Sequence, residues 1–221
     1  GTGSYFCEGN GWQYTFFVPQ DVYGLIELFG GDKPFLERLN QFFVNNDSMG
    51  EEASADITGL IGQYAHGNEP SHHITYMYAY AGQQWKTAEK VRYIMDEFYK
   101  DTPDGIIGNE DCGQMSAWYI LSSMGFYQMN PADGVYVFGS PRFDKMSVKV
   151  RGGKTFTVEA ENNSKENIYI QKVFLNGKPY KKTYIIYDDI LNGSTLKFVM
   201  GKKPNKAFGK AAVDRPIVLN K

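Results

Sequence analysis

The chain has 221 residues, of which 42% are hydrophobic, 15% aromatic and 22% charged, and its formal net charge is −2. This length allows one full domain or two small ones, and so many aromatic residues exclude a disordered chain because they can bury enough apolar surface. The small net charge argues against nucleic acid or an anionic membrane as the main partner, and no apolar run reaches the roughly 18 to 20 residues of a membrane span.

Before residue 130, apolar residues recur at helical spacing, as in the stripe formed by Phe35, Leu39 and Phe42. Asp32 is expected to cap a helix with Pro34 in its first turn, and Gly82 and Gly125 stand where C-terminal glycines belong. The spacing predicts helices at 11–18, 20–30, 32–45, 55–64, 71–81, 84–99 and 112–124. Polar loops at 45–53, 65–70 and 100–111 are left to carry function.

After Pro131 the apolar period falls to two, which predicts strands. These strands lie at 135–138, 146–150, 155–158, 168–170, 172–175, 183–187 and 195–199. Turns are expected at glycines 152–153 and at the Asn-Gly pairs 176–177 and 192–193. The predicted fold class is therefore α+β, with a helical part at 1–130 and a β-rich part at 131–221. The lysine-rich stretch after residue 201 is expected to be a solvated surface rather than a binding arm.

The first polar cluster is Glu8-Gly-Asn-Gly-Trp-Gln-Tyr14, in which a carboxylate precedes a Gly-Asn-Gly turn and Trp12. An aromatic ring beside a carboxylate can stack against the C–H face of a sugar. The alternative is a helix-capping Glu8 beside a core tryptophan.

The second cluster contains all three histidines of the protein, His66, His72 and His73. Adjacent histidines point to different faces of a helix, so the spacing argues against zinc. The oxygen atoms of Asn68 and Glu69 suit a hard cation such as calcium better.

The third cluster places two adjacent carboxylates, Glu110 and Asp111, before an apolar helix. Free N–H groups and the helix dipole favour their ionised form, which a general base requires. The alternative is that they only cap the helix. The three clusters together contain no Ser-His-Asp or Cys-His signature, and separated carboxylates with neutral hydrogen-bonding groups are typical of a glycosidase site.

Four strings carry a strong resemblance to glycoside hydrolase family 92, and they are EGNGWQYTFFVPQD (8–21), GNEPSHH (67–73), GNEDCGQMSAWY (108–119) and GFYQMNPADGVY (125–136). The resemblance covers most of residues 6–145. It implies a calcium-dependent exo-α-mannosidase, often α-1,2-specific, that inverts the anomeric configuration. It also implies that the helical part is half of an (α/α)6 barrel and that the C-terminal part is an antiparallel, β-sandwich-like unit.

The resemblance makes Glu8 the general acid and Asp111 the general base. The family usually has a second acid two residues before the base, where this chain has Asn109. Two alternatives stay open: one carboxylate alone activates the water, or Asn109 orients it. Glu110 is acidic, and its placement allows it to point elsewhere. Further implied are substrate contacts from Trp12, Glu69, His72 and His73, and calcium ligands from Asn68, Glu69 and Asp111.

Family members are much longer than 221 residues, so the resemblance implies a C-terminal fragment whose partners are a mannose-containing glycan and the missing N-terminal part of the enzyme. It also implies a periplasmic, cell-surface or secreted location. Other mannoside linkages (α-1,3, α-1,4 or phosphate-linked) and a non-hydrolytic carbohydrate-binding module remain alternatives. Cys7 and Cys112 adjoin the two carboxylates, and we expect buried, reduced thiols there.

Overall fold

Helices dominate the first part of the chain, mostly in shorter forms than the sequence predicts. The computed structural model describes residues 5–48 and 57–219. Its helices up to residue 125 are α1 (Gly11–Thr15), α2 (Val22–Leu28), α3 (Asp32–Val44), α4 (Met77–Tyr80), α5 (Gln84–Glu97) and α6 (Gln114–Met124). None of the helices in the described ranges is both long and apolar enough to cross a membrane.

The predicted cap of α3 is wrong by one residue, because Gly31 holds the N-cap position and Asp32 is the first helical residue. The Asp32 carboxylate instead pairs with Arg215, at 2.8 Å. The predicted C-terminal glycines are confirmed: Gly82 and Gly125 adopt φ of +76° and +99°, which only glycine adopts without strain.

The predicted helix 55–64 is wrong over its described part, where a hairpin of β1 (Leu60–Ile61) and β2 (Tyr64–Ala65) forms. Residues 55–56 lie outside the described ranges. Gly59 and Gly62 take φ of +63° and +60°, which breaks a right-handed helix. A Cβ at Gly62 would lie 2.6 Å from the Phe42 carbonyl oxygen, so the hairpin turn packs directly on the α3 backbone.

Helix 71–81 is likewise replaced by two 3₁₀ turns, Glu69–Ser71 and Ile74–Tyr76, followed by α4. Every residue from 71 to 81 is buried. A segment that is buried on all sides is positioned by its tertiary contacts rather than by an amphipathic stripe.

Besides the β1–β2 hairpin, the strands of the described residues form two sheets. The three-stranded sheet has the order β3-β4-β9 and is antiparallel, and the five-stranded sheet has the order β5-β6-β10-β7-β8, with β6 and β10 parallel. Their bounds are β3 (Phe126–Tyr127), β4 (Val135–Phe138), β5 (Lys145–Lys149), β6 (Thr155–Glu161), β7 (Tyr169–Leu175), β8 (Lys178–Tyr180), β9 (Tyr184–Ile186) and β10 (Thr195–Gly201). The predicted α+β class is confirmed.

Two of the strand predictions need correction. The segments predicted at 168–170 and 172–175 are one strand, β7. The segment predicted at 183–187 ends early, because helix α7 (Tyr187–Leu191) starts there and the Asp189 carboxylate accepts a hydrogen bond from the Ile186 N–H at 3.1 Å.

Two apolar cores meet at the three-stranded sheet. Val135, Val137 and Tyr184 pack into the helical core. Phe126 and Phe138, from the same sheet, pack with the five-stranded sheet in the second core. Since β3 pairs with β4, this sheet spans the predicted division at residue 130.

Candidate active site

Glu8 lies exposed just before α1 and takes no part in capping that helix. Asn10 is the cap: its Oδ1 accepts from the Trp12 N–H at 2.8 Å, and Gln13 Oε1 accepts from the Asn10 N–H at 2.7 Å. Glu8 has φ of +50°, in the left-handed region that a non-glycine residue adopts only at some cost. Its carbonyl accepts a hydrogen bond from Asn68 Nδ2 at 2.7 Å, which ties the first polar cluster to the second.

Gln63 anchors the helix that follows Glu8, and sequence reasoning missed it. Its carbonyl accepts from Gln13 Nε2 at 2.6 Å, and its Oε1 accepts from Asn10 Nδ2 at 3.0 Å. Gln63 stands in the hairpin that the sequence predicts as a helix, so no pattern in the sequence pointed to it.

Trp12 is half-buried, and Arg38 of α3 contacts its ring. The Arg38 guanidinium lies over one face of the ring, 3.6 Å from its centroid. A sugar could therefore stack only on the other face of Trp12.

Asn68 is nearly buried and both of its side-chain polar atoms bond to protein. Besides the bond to Glu8, Oδ1 accepts from the Glu69 N–H at 3.1 Å and so caps the 3₁₀ turn. Glu69, by contrast, is exposed. The second cluster thus contributes one residue that holds Glu8 and one carboxylate that reaches the surface.

The three histidines of the second cluster, which we call the histidine platform, are all buried. His72 and His73 are 2% and 4% exposed. His72 Nε2 donates to the His66 carbonyl at 2.8 Å, so Nδ1 is the acceptor for Gln114 Nε2 at 3.0 Å. His73 Nε2 donates to the Phe16 carbonyl at 2.6 Å. The His66 ring nitrogens bond to the hydroxyls of Tyr64 and Tyr99, each at 2.8 Å.

The Gln114 bond links the second cluster to the third. Gln114 lies within the string that the sequence singles out, but nothing there predicts that it contacts His72. Gly108 also approaches Gly67, because a Cβ at Gly108 would lie 3.3 Å from the Gly67 Cα.

Glu110 and Asp111 have different environments despite their adjacency. The Glu110 carboxylate accepts from the backbone N–H groups of Ser116, at 3.2 Å, and Gly113. A hydrogen bond from the Ser116 side chain, together with these backbone bonds, lowers the pKa of Glu110. Asp111 is exposed and has φ of +54°, and Cys112 follows at +56°. Glu110 therefore holds the start of α6, while the strained turn presents Asp111 at the surface.

The negative charges of Glu69 and Asp111 act on the same histidine, His72. Burial lowers the pKa of His72, and the hydrogen bond to the His66 carbonyl and the negative charges of Glu69 and Asp111 oppose that shift. Asn109 is exposed one residue before Glu110. The candidate site is thus a surface carrying Glu8, Glu69, Asn109 and Asp111 above neutral histidines.

Oxygen donors on this surface have the chemistry that a hard cation prefers, since Glu69 and Asp111 are carboxylates. Within residues 5–48 and 57–219, no three His, Cys, Asp or Glu side chains are grouped so as to hold a metal ion. Calcium takes about six to eight oxygen ligands. Glu69 and Asp111 therefore fit part of a calcium site, and its other ligands would come from substrate, water or other protein segments.

Both cysteines beside the carboxylates are free, as predicted. The prediction that they are buried is wrong, because Cys7 and Cys112 are exposed. Each cysteine lies at the surface beside an exposed carboxylate, Cys7 beside Glu8 and Cys112 beside Asp111.

Acid is expected to destabilise the histidine platform. Burial lowers the pKa of His73 to about 4, below the 6.5 of an unfolded chain. Above pH 6.5, His73 is neutral in both the folded and the unfolded state. As the pH is lowered from 6.5 to 4, His73 of the unfolded chain binds a proton and His73 of the folded chain does not. The free energy of unfolding therefore decreases as the pH is lowered, and His73 contributes roughly 3 kcal/mol to this decrease. Urea unfolding at pH 7, 5.5 and 4 should show a steeper loss for the wild type than for His73→Gln. Parallel profiles would contradict this role of His73.

Glu110→Gln is expected to lower stability and to spare the chemistry. The neutral amide is a weaker acceptor for the first N–H groups of α6, so Tm should fall by about 2–4 °C. Differential scanning fluorimetry measures the shift, and the matched substitution Glu97→Gln, at an exposed site near the end of α5, should leave Tm almost unchanged. A large loss of kcat without a change in Tm would instead make Glu110 a reacting group.

Comparison with known proteins identifies the family. The model of the glycosyl hydrolase family 92 catalytic domain matches residues 1–202. An uncharacterized secreted glycosidase of Arthroderma benhamiae is 35% identical over 212 residues, which are 95% of this chain and 25% of that protein.

Two solved structures of Bacteroides thetaiotaomicron enzymes share the fold. The family GH92 α-mannosidase BT3965, in complex with mannoimidazole, is 41% identical with a TM-score of 0.89, over 96% of this chain and 28% of that one. The family GH92 inverting mannosidase BT2199 is 37% identical with a TM-score of 0.84, over 98% and 30%. The chain thus spans less than a third of the length of these relatives. With the family model matching nearly its whole length, the chain belongs to glycosyl hydrolase family 92.

Proposed function

We propose that this chain forms the part of a secreted, inverting exo-α-mannosidase that carries the general acid Glu8 and the general base Asp111. The observation that carries the proposal is the hydrogen-bonded link between three distant segments, through Asn68 to Glu8 and through Gln114 to His72. It brings two exposed carboxylates of different segments to one surface in a family 92 chain. The similarity to mannosidases BT3965 and BT2199 supports mannose as the sugar.

In the proposed reaction, Glu8 protonates the glycosidic oxygen as the bond to the anomeric carbon breaks. Asp111 takes a proton from a water molecule that attacks the opposite face of the sugar. The water requires a gap between the carboxyl groups of about 6.5 to 9.5 Å, and it yields product of inverted configuration. Asn109, two residues before Asp111, is the group that would orient the water, because an amide can both accept and donate a hydrogen bond.

Asp111 owes its place to the backbone around it. Glu110 fixes the start of α6, and the left-handed residues after it turn the Asp111 side chain outwards. Glu8 is fixed by its carbonyl bond to Asn68, which leaves its carboxylate out of the α1 cap. Because the two carboxylates belong to elements held by separate hydrogen bonds, substitution of one need not displace the other.

Calcium is part of the proposal, with Glu69 and Asp111 among its ligands. Bound calcium would supply positive charge that holds mannose hydroxyls and favours a distorted ring. The role of Asn68 is then to position Glu8, because both of its polar side-chain atoms already bond to the chain. The remaining walls of the site would come from polypeptide outside this segment, since the relatives are much longer than this chain.

Hydrolysis of defined disaccharides by the full-length protein tests the proposal. We expect release of mannose from α-1,2-mannobiose, loss of activity with EDTA, and recovery on addition of calcium. Hydrolysis of α-1,3-, α-1,4- or phosphate-linked mannose without hydrolysis of α-1,2-mannobiose would contradict the α-1,2 linkage and assign another one. Mannoside binding without any turnover would contradict the enzymatic proposal and favour a binding module.

A further inference from the structure

Positive charge is concentrated near the end of the chain. Residues 165–215 hold eleven Lys and Arg and four Asp and Glu, a formal charge of +7 in a chain whose net charge is −2. The rest of the chain is therefore acidic, including the carboxylates of the candidate active site. Charge gathered on one surface attracts ligands of the opposite sign.

A cleft of about 460 Å³ opens within this basic part, between the β7–β8 hairpin and the segment that follows β10. This volume lies within the range of about 300–1,000 Å³ that is usual for small-molecule sites. None of its lining residues belongs to the three clusters of the candidate active site. Its apolar and aromatic lining consists of Val173, Phe174, Pro179, Tyr180, Ala207 and Phe208.

Lys172 and Lys181 line the same cleft and are exposed. Two other lysines of the region are already paired: Lys202 with Glu166 at 2.7 Å, and Lys197 with Glu161 at 2.5 Å. In the described part of the chain, no carboxylate lies within ion-pair distance of Lys172 or Lys181. Asp214 also lines the cleft and offsets one of these charges, so an anion would have to approach from the lysine side.

Hydrogen bonds hold the walls of the cleft in place. Tyr180 donates its hydroxyl proton to the Tyr184 carbonyl at 2.8 Å. Asn205 Nδ2 donates to the Gln171 carbonyl at 3.1 Å, and Asn205 Oδ1 accepts from the Phe208 N–H at 3.3 Å. A preformed cleft loses little conformational entropy when a ligand binds.

We propose that this cleft binds an anionic saccharide, a sugar that carries a phosphate or a carboxylate. Lys172 and Lys181 would contact the anion, and the half-buried rings of Phe174, Tyr180 and Phe208 would supply the surface for the sugar. The choice of a saccharide over another anion rests on the proposed function, whereas the choice of an anion rests on the charges alone. The lysine-rich stretch would then border a binding site rather than being only a solvated surface.

Calorimetric titration of the full-length protein tests the cleft with four probes: a phosphorylated mannose oligosaccharide, an oligogalacturonide, a neutral α-mannose oligosaccharide and a sugar-free polyphosphate. We expect the anionic probes to bind more tightly than the neutral one, and to bind more weakly at higher salt. The double variant Lys172→Gln/Lys181→Gln should weaken anionic binding by about tenfold. The two anionic probes separate phosphate from carboxylate as the preferred group.

Lys149→Gln/Lys154→Gln is the matched control, because Lys149 ends β5 and Lys154 immediately precedes β6. Both lysines are exposed, and β5 forms the edge of the sheet opposite to β8. Equal loss in both double variants, or equal affinity for neutral and anionic probes, would overturn the proposal. Equally tight binding of a sugar-free polyphosphate would overturn the saccharide assignment. Hydrolysis of 4-nitrophenyl α-mannoside should be unchanged in every lysine variant, so failure of the cleft and failure of the catalytic proposal are distinguishable.

Discussion

Glu8→Gln in the full-length protein is expected to lower kcat on α-1,2-mannobiose by about 10²–10⁴-fold. A sugar alkoxide is a poor leaving group, and the amide has no acidic proton to give it. The substitution keeps the side-chain size and the Asn68 bond to the Glu8 carbonyl, so the site should stay assembled. 2,4-Dinitrophenolate is a stable anion that leaves without protonation, so kcat/KM on 2,4-dinitrophenyl α-mannoside should fall by about tenfold or less. Steady-state kinetics on the two substrates measure the difference.

Glu27→Gln provides the matched control, because Glu27 is an exposed carboxylate on α2, outside the three clusters. It should leave both activities unchanged. An equal loss on both substrates in Glu8→Gln would contradict a general-acid role.

Asp111→Asn is expected to lower kcat by a similar factor, about 10²–10⁴-fold, on both substrates alike. Attack by water needs a base whatever group departs, so a better leaving group gives no rescue. Asparagine tolerates the left-handed region, so the backbone at φ +54° can keep its conformation. The same kinetic assays, with circular dichroism as a check of folding, measure the effect.

Asp104→Asn changes another exposed carboxylate in the same loop and should be without effect on kcat. Rescue of Asp111→Asn by the activated substrate, together with its absence in Glu8→Gln, would mean that the acid and base roles are exchanged.

Where burial follows a simple period, the sequence predicts the fold well. The stripe containing Phe35, Leu39 and Phe42 gives α3 almost to the residue, and Gly82 and Gly125 end their segments as expected. The segment 55–64 fails because its apolar residues also suit a helix, while Gly59 and Gly62 both take positive φ. Gly62 packs against the backbone of α3, and Gly59 packs against Ile107 and His66. Such tertiary effects leave no period in the sequence.

The candidate site shows the same limit. Three polar clusters can be recognised from their composition and from their resemblance to a family, but their contacts cannot. Asn68 is 60 residues from Glu8, and Gln114 is 42 residues from His72, so only the folded chain brings them together. The adjacent Glu110 and Asp111 look equivalent in the sequence, and both are exposed. Only the hydrogen bonds from the start of α6 identify Glu110 as the carboxylate that caps the helix.

Proton NMR of the first-formed sugar is the most direct test of the proposed inverting reaction with two carboxylates. The full-length protein would hydrolyse an α-mannoside in the spectrometer, with spectra recorded before the anomers of free mannose equilibrate. We expect β-mannose as the first product, since water activated by Asp111 enters on the face opposite the bond that Glu8 helps to break. Initial release of α-mannose would contradict the proposed roles of both carboxylates.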